Sequence, residues 1–402
     1  VFVFKNDNYE TAWKKIAFGF NAQIQNSFHN NIQINGTNTV NGLDNYFLDY
    51  ATGKDGVALG LSDFESVRDV YQFFGESSSH GFGYQQAFLG YQAYIFDYLP
   101  DDSLFVSNAI YSSVQHNHSI QTSGENWSMA FTFSSQYNDW LYLGANINVS
   151  SVEYRLITST KETGYLPESF IQETYFQNEL YTYGGGVSLQ FGAIARPNKN
   201  VRLGISYKTP TWYELNDEFS QYLETKSTDS DGNSYNDVID LTDVINIYES
   251  YTIKTPSEFR GSLAYIFGKR GILSFDYSLK DYQNSHIGPN DNDVFIALNN
   301  QIDQSWRLVS NFRVGGEYRL GALSFRAGYH LEESQYNNKK LLGDRSGSSY
   351  GIGLNFKSSI VNLSILNINQ SRSHQLYDTG LSDGGENEIN FKHFTVSWNF
   401  KF

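Results

Sequence analysis

The chain has 402 residues, with 28 Lys+Arg against 43 Asp+Glu and a net charge of −15, which excludes nucleic acid as a partner. Aromatic residues make up 16% of it, with 30 Tyr, 30 Phe and 34 Gly beside 6 Pro and no Cys, so it fits an exported protein without disulfides. No run approaches 18 consecutive apolar residues, which excludes a transmembrane helix, and the mean hydropathy of −0.45 suits a membrane protein only if apolar residues alternate with polar ones.

Alternation is what the chain shows. Val1–Phe4 reads as the tail of a strand that turns through Lys5–Ala12. Ile16, Phe18, Phe20, Ala22 and Ile24 then fall on one face of the next strand. Residues 34–126 break the pattern and read as one large loop with helices. Ser62 and Glu65 have capping-box spacing, and Phe64, Val67, Tyr71 and Phe74 follow at helical spacing. Tyr84, Phe88, Tyr91 and Ile95 predict a second helix over 84–98, ended by Pro100, and Leu43, Phe47 and Tyr50 a shorter one. Residues 113–122 read as a strand projecting beyond the membrane.

From Trp127 onward the meander is regular. Trp127, Met129, Phe131 and Phe133 form one face, and Leu141, Leu143, Ile147 and Val149 the next, across a turn at Asn138-Asp139. Short turns at 197–200 and 268–271 alternate with long polar loops near 159–172, 214–250, 285–302, 334–347 and 373–387. That asymmetry is expected of a barrel with short periplasmic turns and long external loops. The last strand alternates Phe394, Val396, Trp398, Phe400 and Phe402 with His393, Thr395, Ser397, Asn399 and Lys401. It resembles the closing strand of an outer-membrane barrel, with Phe402 as the signal for the barrel-assembly machinery. Parity then makes 34–126 external and gives about thirteen strands. Because single-chain bacterial barrels are even-numbered, a fourteenth is expected before Val1. The expectation is one all-β domain, residues 1–402, a transmembrane antiparallel β-barrel in the bacterial outer membrane.

Gly204-Ile205-Ser206-Tyr207-Lys208-Thr209-Pro210, Ile253-Lys254-Thr255-Pro256-Ser257-Glu258-Phe259 and Ser274-Phe275-Asp276-Tyr277 resemble motifs of the FadL-type outer-membrane transporters. The resemblance covers roughly 130–400. It implies a fourteen-stranded barrel that takes up long-chain fatty acids or other hydrophobic compounds passively, with outer-membrane lipids around it. Family members carry an N-terminal Asn-Pro-Ala hatch, which this sequence lacks.

Phe73, Phe74, Phe88, Leu89, Tyr91, Ile95 and Phe96 are candidates for an apolar groove that captures a lipid tail, or for the glue between loop helices. Arg202, Arg260, Arg313 and Arg326 fall on inward faces with Asp276 and Glu317. They read as a bracing salt-bridge network or, for Arg260 and Arg326 above all, as acceptors for a carboxylate. The acidic loop 227–238 has the flavour of a calcium loop, but Ser227 and Val238 stand where its first and last acidic ligands belong. His116 and His118 share a strand face, and two ligands do not make a metal site. No G-x-S-x-G occurs, so no catalytic residue, metal or cofactor is expected. The alternative to transport is a partner or carrier subunit of an outer-membrane secretion or surface-assembly complex.

Overall fold

The computed structural model describes residues 1–5, 11–77, 80–356 and 358–400. In chain order it contains β1 (Phe2–Lys5), β2 (Trp13–Ser27), β3 (Asn30–Asn38), α1 (Leu43–Ala51), α2 (Val67–Glu76), α3 (Gly81–Gln92), β4 (Phe96–Leu99) and β5 (Leu104–Ser107). There follow β6 (Val114–Tyr137), β7 (Leu141–Thr163), β8 (Ile171–Ala195), β9 (Val201–Lys208), β10 (Trp212–Thr228), β11 (Ser234–Ile247), β12 (Tyr251–Lys254) and β13 (Glu258–Phe267). The chain ends with β14 (Gly271–Asp281), β15 (His286–Gly288), α4 (Asp293–Ser305), β16 (Leu308–Leu320), β17 (Leu323–Glu332), β18 (Arg345–Asn355), β19 (Ser359–Gln375) and β20 (Gly384–Phe400).

Every strand except β4 and β5 belongs to one antiparallel sheet, in which each wall strand pairs with its neighbours in the chain. Several wall strands are built in pieces: β2 continues into β3, β9 into β10, β11 through β12 into β13, and β14 into β15. Taken that way, the described residues supply thirteen wall positions, from β1 to β20. Among them, no pairing joins β1 to β20, and the sheet is open between those two edges. Among the described residues no helix is long and apolar enough to cross a membrane. Lys401 and Phe402, and with them the proposed assembly signal, lie outside the described residues.

Alternation fixes the two faces of the wall. Trp127, Met129, Phe131 and Phe133 of β6 stay exposed on the convex side, as do Phe18 and Phe20 of β2, Leu263 and Tyr265 of β13, and Phe394, Val396 and Trp398 of β20. Such a continuous apolar belt is costly in water and fits a lipid-facing surface. The opposite face carries Gly, Ser, Thr and Asn, with charges in pairs. β6, β7 and β8 have 24, 23 and 25 residues, about twice the 9–11 that a tilted strand needs to cross a bilayer. Their surplus lies at the long-loop end. At the transition Gly124 holds φ +104°, where a Cβ would sit 2.2 Å from the Glu153 carbonyl oxygen, so only glycine fits.

The segment between wall strands runs over 39–113 rather than 34–126, because β3 and β6 pair outward from Asn30↔Thr122 to Asn38↔Val114. It forms a cap of three helices and the β4–β5 hairpin. α1 begins where the short helix was expected. α2 begins at Val67, capped by Ser66, whose Oγ accepts from the Asp69 N–H at 3.2 Å. The Ser62–Glu65 pair does bond reciprocally, Ser62 N–H to Glu65 Oε2 at 3.0 Å and Glu65 N–H to the Ser62 carbonyl at 3.0 Å, but it closes a separate turn before the helix. α3 covers 81–92 and not 84–98. Tyr94 takes φ +56° and ends the helical path, so Phe96 sits on β4 and shares no helix face with Phe88.

The main hydrophobic core of the molecule lies here. Phe47, Tyr71, Phe88, Phe96 and Leu89 of the cap pack with Phe176 of β8, Leu223 of β10, Leu241 of β11, and Tyr377 and Leu381 of the β19–β20 loop. Both sides of the long-loop mouth thus close on one apolar cluster.

Candidate functional site

Two regions concentrate the chemistry: the seat of the cap and the inner wall. At the seat, Glu162 of β7 is fully buried and accepts three hydrogen bonds. They come from the Leu43 N–H in the first turn of α1 (2.8 Å), from His116 Nε2 and from the Tyr165 hydroxyl. A carboxylate beside the first turn of a helix is favourably placed for the helix dipole. Neighbouring Asp44, also buried, accepts from Ser107 Oγ (2.6 Å) and the Tyr111 hydroxyl (3.1 Å). Burial pushes the Asp44 carboxyl above its ordinary value. The two carboxylates therefore hold the cap's entry, at Leu43–Asp44, and its exit, at Ser107–Tyr111, to one wall strand.

Beside them, His118 Nδ1 meets Thr160 Oγ1 at 2.7 Å, and Thr160 meets the Tyr377 hydroxyl at 2.7 Å. His116 and His118 do share a face, but Glu162 occupies the first and Thr160 the second. No group of three or more His, Cys, Asp or Glu able to hold a metal is found among the described residues. In the acidic loop, the Asp229 carboxylate accepts from the N–H of Asp231 (2.9 Å) and of Asn233 (2.8 Å) and from the Tyr235 hydroxyl (2.9 Å). Hydrogen bonds from Asn233 hold it low, at about 2. Its oxygens are spent on closing the turn.

Burial lowers the His118 pKa to about 4, since charging the ring there means desolvating it beside His116 and His374. A histidine depressed in the folded state contributes stability that is full above its unfolded value near 6.5 and lost as pH falls through 4. Asp44, raised, has the opposite sign. Acidification from pH 7 to 4.5 should therefore loosen the cap, by on the order of 2 kcal/mol from His118. Limited proteolysis within 39–113 should speed up over that range, and His118→Gln should flatten the dependence. A cap equally resistant at both pH values would contradict this assignment.

The apolar residues expected to line a capture groove are mostly inside the cap. Phe74, Phe88, Leu89, Ile95 and Phe96 are at most 2% exposed, with Phe74 and Phe88 rings 5.5 Å apart, and Tyr91 packs on Phe96. Phe73, at 58% exposed, faces outward. The packing spends these side chains on the cap's own core.

On the inner wall the arginines are mostly committed. Arg260 donates to Glu258 (2.6 Å), Arg313 to Glu332 (2.8 Å), and Arg326 to Glu317 (2.7 Å) and Asn362 (2.8 Å). Arg202 is different: among the described residues it donates only to the carbonyls of Asn198 (3.0 Å) and Val201 (2.8 Å). It lines an inner cavity of about 530 Å³ that runs from β6 to β14, floored by Gly144, Gly192, Gly204 and Ala264, with Asp276 as its one carboxylate. A second inner cavity of about 620 Å³ lies against Arg313, Glu317 and Arg326. The two Thr-Pro motifs stand side by side between the cavities and the cap. Thr211 N–H donates to Thr255 Oγ1 (2.9 Å), and Thr255 N–H to the Thr211 carbonyl (3.0 Å).

Sequence reasoning missed Glu162. The only available signal was parity, which places it on the face of Thr160 and opposite His116 once the β6–β7 register is known.

No family model matches the chain, and no curated protein matches it. Among solved structures it is similar to a Pseudomonas aeruginosa FadL homologue, at 13% identity over 71% of this chain and 73% of that one, with a TM-score of 0.45. It is similar to the P. putida toluene transporter TodX at 14% identity, over 72% and 79% of the chains and a TM-score of 0.41. The CymD monoaromatic hydrocarbon channel aligns at 13% identity, over 72% and 79%, with a TM-score of 0.39. By strand order and alternating faces the chain has the fold of an antiparallel β-barrel wall with a partly helical insertion.

Proposed function

We propose that this chain is a bacterial outer-membrane channel for the passive uptake of hydrophobic compounds, long-chain fatty acids among them. The observation that carries the reading is the lining of the 530 Å³ inner cavity, where Gly144, Gly192, Gly204, Ala264 and Ile194 alternate with uncharged Ser, Thr, Asn and Gln, carbon makes up most of the surface, and only Arg202 and Asp276 are charged. A concave site of mostly carbon surface with few charged groups suits an apolar molecule and selects weakly among similar ones. Each methylene moved out of water contributes about 0.8 kcal/mol, so an acyl chain or an aromatic hydrocarbon gains enough without specific contacts. In this reading the cap receives the ligand outside, and it passes along the inner wall. Because the cap's aromatics are buried, capture requires the cap to shift. The likeness to toluene transporters and a monoaromatic hydrocarbon channel agrees with such a substrate class, and no catalytic role is proposed.

The test is accumulation of radiolabelled oleate and of toluene by cells with and without the protein, at matched outer-membrane levels. Faster accumulation of at least one, with no change for a hydrophilic sugar, is the expected result. Equal rates for all three would remove the transport reading.

A second reading, as subunit of a secretion or surface-assembly complex, has one specific observation behind it. Phe64 is completely exposed, held in the hydrogen-bonded Ser62–Glu65 turn, with Leu61 and Phe73 also exposed on the cap. Phe64→Asp should leave uptake unchanged. If it instead detaches a co-purifying protein, the partner reading takes over.

A further inference from the structure

The net charge of −15 hides two ends of opposite sign. The cap segment 40–107 contains ten Asp and Glu against two Lys and Arg. At the other end, the described residues of the strand ends and short turns within 4–15, 136–142, 195–203, 266–272, 317–324, 355–360 and 399–400 contain nine Lys and Arg against two Asp and Glu. Three of the cations come from one turn, Arg196, Lys199 and Arg202. Arg196 lies over the ring of Tyr142, 4.5 Å from its centroid, and Tyr142 and Arg202 both line the 530 Å³ cavity. Among the described residues neither Arg196 nor Arg202 has a carboxylate partner, whereas Arg319 is bonded to Glu317. Lys5 and Lys15 face each other across β1 and β2, like charges side by side. The Asp276 carboxylate of the same cavity accepts from Ser262 Oγ at 2.5 Å and lies one inward row further from the turn than Arg202.

Uncompensated guanidinium groups at the mouth of a low-dielectric cleft focus a positive potential into it. Arg, moreover, presents a fork that matches a carboxylate or sulfonate. We propose that the short-turn mouth is an anion-collecting site, in which Arg196, Lys199 and Arg202 draw small organic anions bearing a carboxylate or sulfonate to the cavity floor. The site therefore favours anions although the chain as a whole is acidic. Outward-facing lipid headgroups are a poorer fit, because Arg202 and Tyr142 line the inner cavity. The proposal does not depend on hydrophobic uptake, and its test uses no apolar ligand.

The absence of cysteine from the chain allows a direct measurement. Ala264 lines the cavity and pairs with Arg202 across β13 and β9, so Ala264→Cys places a single thiol beside the guanidinium. In the purified protein in neutral detergent, its reaction rate with anionic sulfonatoethyl methanethiosulfonate is compared with that for the cationic trimethylammonioethyl reagent. The ratio is referred to a small free thiol. It should favour the anion by roughly tenfold at low salt and approach the free-thiol value in about 1 M salt, where the Debye length is about 3 Å. Combining Ala264→Cys with Arg196→Gln, Lys199→Gln and Arg202→Gln should remove the preference while barrel migration on a gel stays unchanged. Ser206→Cys, on the same cavity, repeats the measurement if Ala264→Cys does not assemble. A ratio at or below the free-thiol value overturns the proposal. So does a thiol that neither reagent reaches, or a preference that survives the triple neutralisation.

Discussion

Glu162→Ala is expected to release the cap while leaving the barrel wall intact. The side chain is fully buried and satisfies the Leu43 N–H, His116 and Tyr165 together. Its removal strands three donors in a site that water does not reach. Breaking a buried, hydrogen-bonded charge in this way costs about 3–5 kcal/mol, and a single unmet donor about 1–3. The loss is local, because the wall is held by strand pairing from β6 to β8 that Glu162 does not mediate. The check is trypsin or chymotrypsin cleavage within 39–113, alongside the heat-dependent gel migration of the folded barrel. Cleavage should rise at least tenfold with unchanged migration. Glu162→Gln should be milder, since its amide oxygen still accepts from one donor while its NH₂ opposes another. A cap that stays resistant in Glu162→Ala would show that apolar packing alone seats it.

Phe88→Asp should have an effect of similar size by a different route. Phe88 is buried against Phe74 within the cluster that joins the cap to Phe176 and Leu223. Truncating a buried Phe costs about 3–5 kcal/mol, and placing an unpaired carboxylate there costs more unless it takes up a proton. The cap should lose its protease resistance, and a ligand assay on this variant would report cap folding rather than ligand contact. Phe73→Asp is the informative comparison, because Phe73 is exposed and a surface change of this kind is usually worth within 0.5 kcal/mol. Unchanged resistance in Phe88→Asp together with lost oleate binding would instead assign Phe88 to a capture groove.

Some of this protein is determined locally and can be read from the residues alone. The period of two in Trp127–Phe133 or Phe394–Phe400 sets which side chains face outward, because successive Cβ atoms of a strand point to opposite sides whatever the partner strand is. Short turns such as 197–200 and 268–271 set the antiparallel neighbours, so the meander and the location of the long loops follow as well. Helix existence was legible in the cap from apolar spacing. Helix ends were not, since a left-handed Tyr94 stops α3 and Ser66 caps α2 four residues after Ser62, where the Ser62–Glu65 pair suggested the cap. The tertiary structure alone decided which charges meet. Register across β6 and β7 brings Glu162 to His116, forty-six residues away, and register across β16 and β17 brings Glu317 to Arg326, while register across β9 and β13 sets Arg202 opposite Ala264, with no carboxylate partner among the described residues. It also decided that Phe88 and Phe96 are core and Phe73 is surface. An apolar pattern states that a side chain should leave water, and only the packing of the cap against β8, β10 and β11 determines whether protein or ligand takes the water's place.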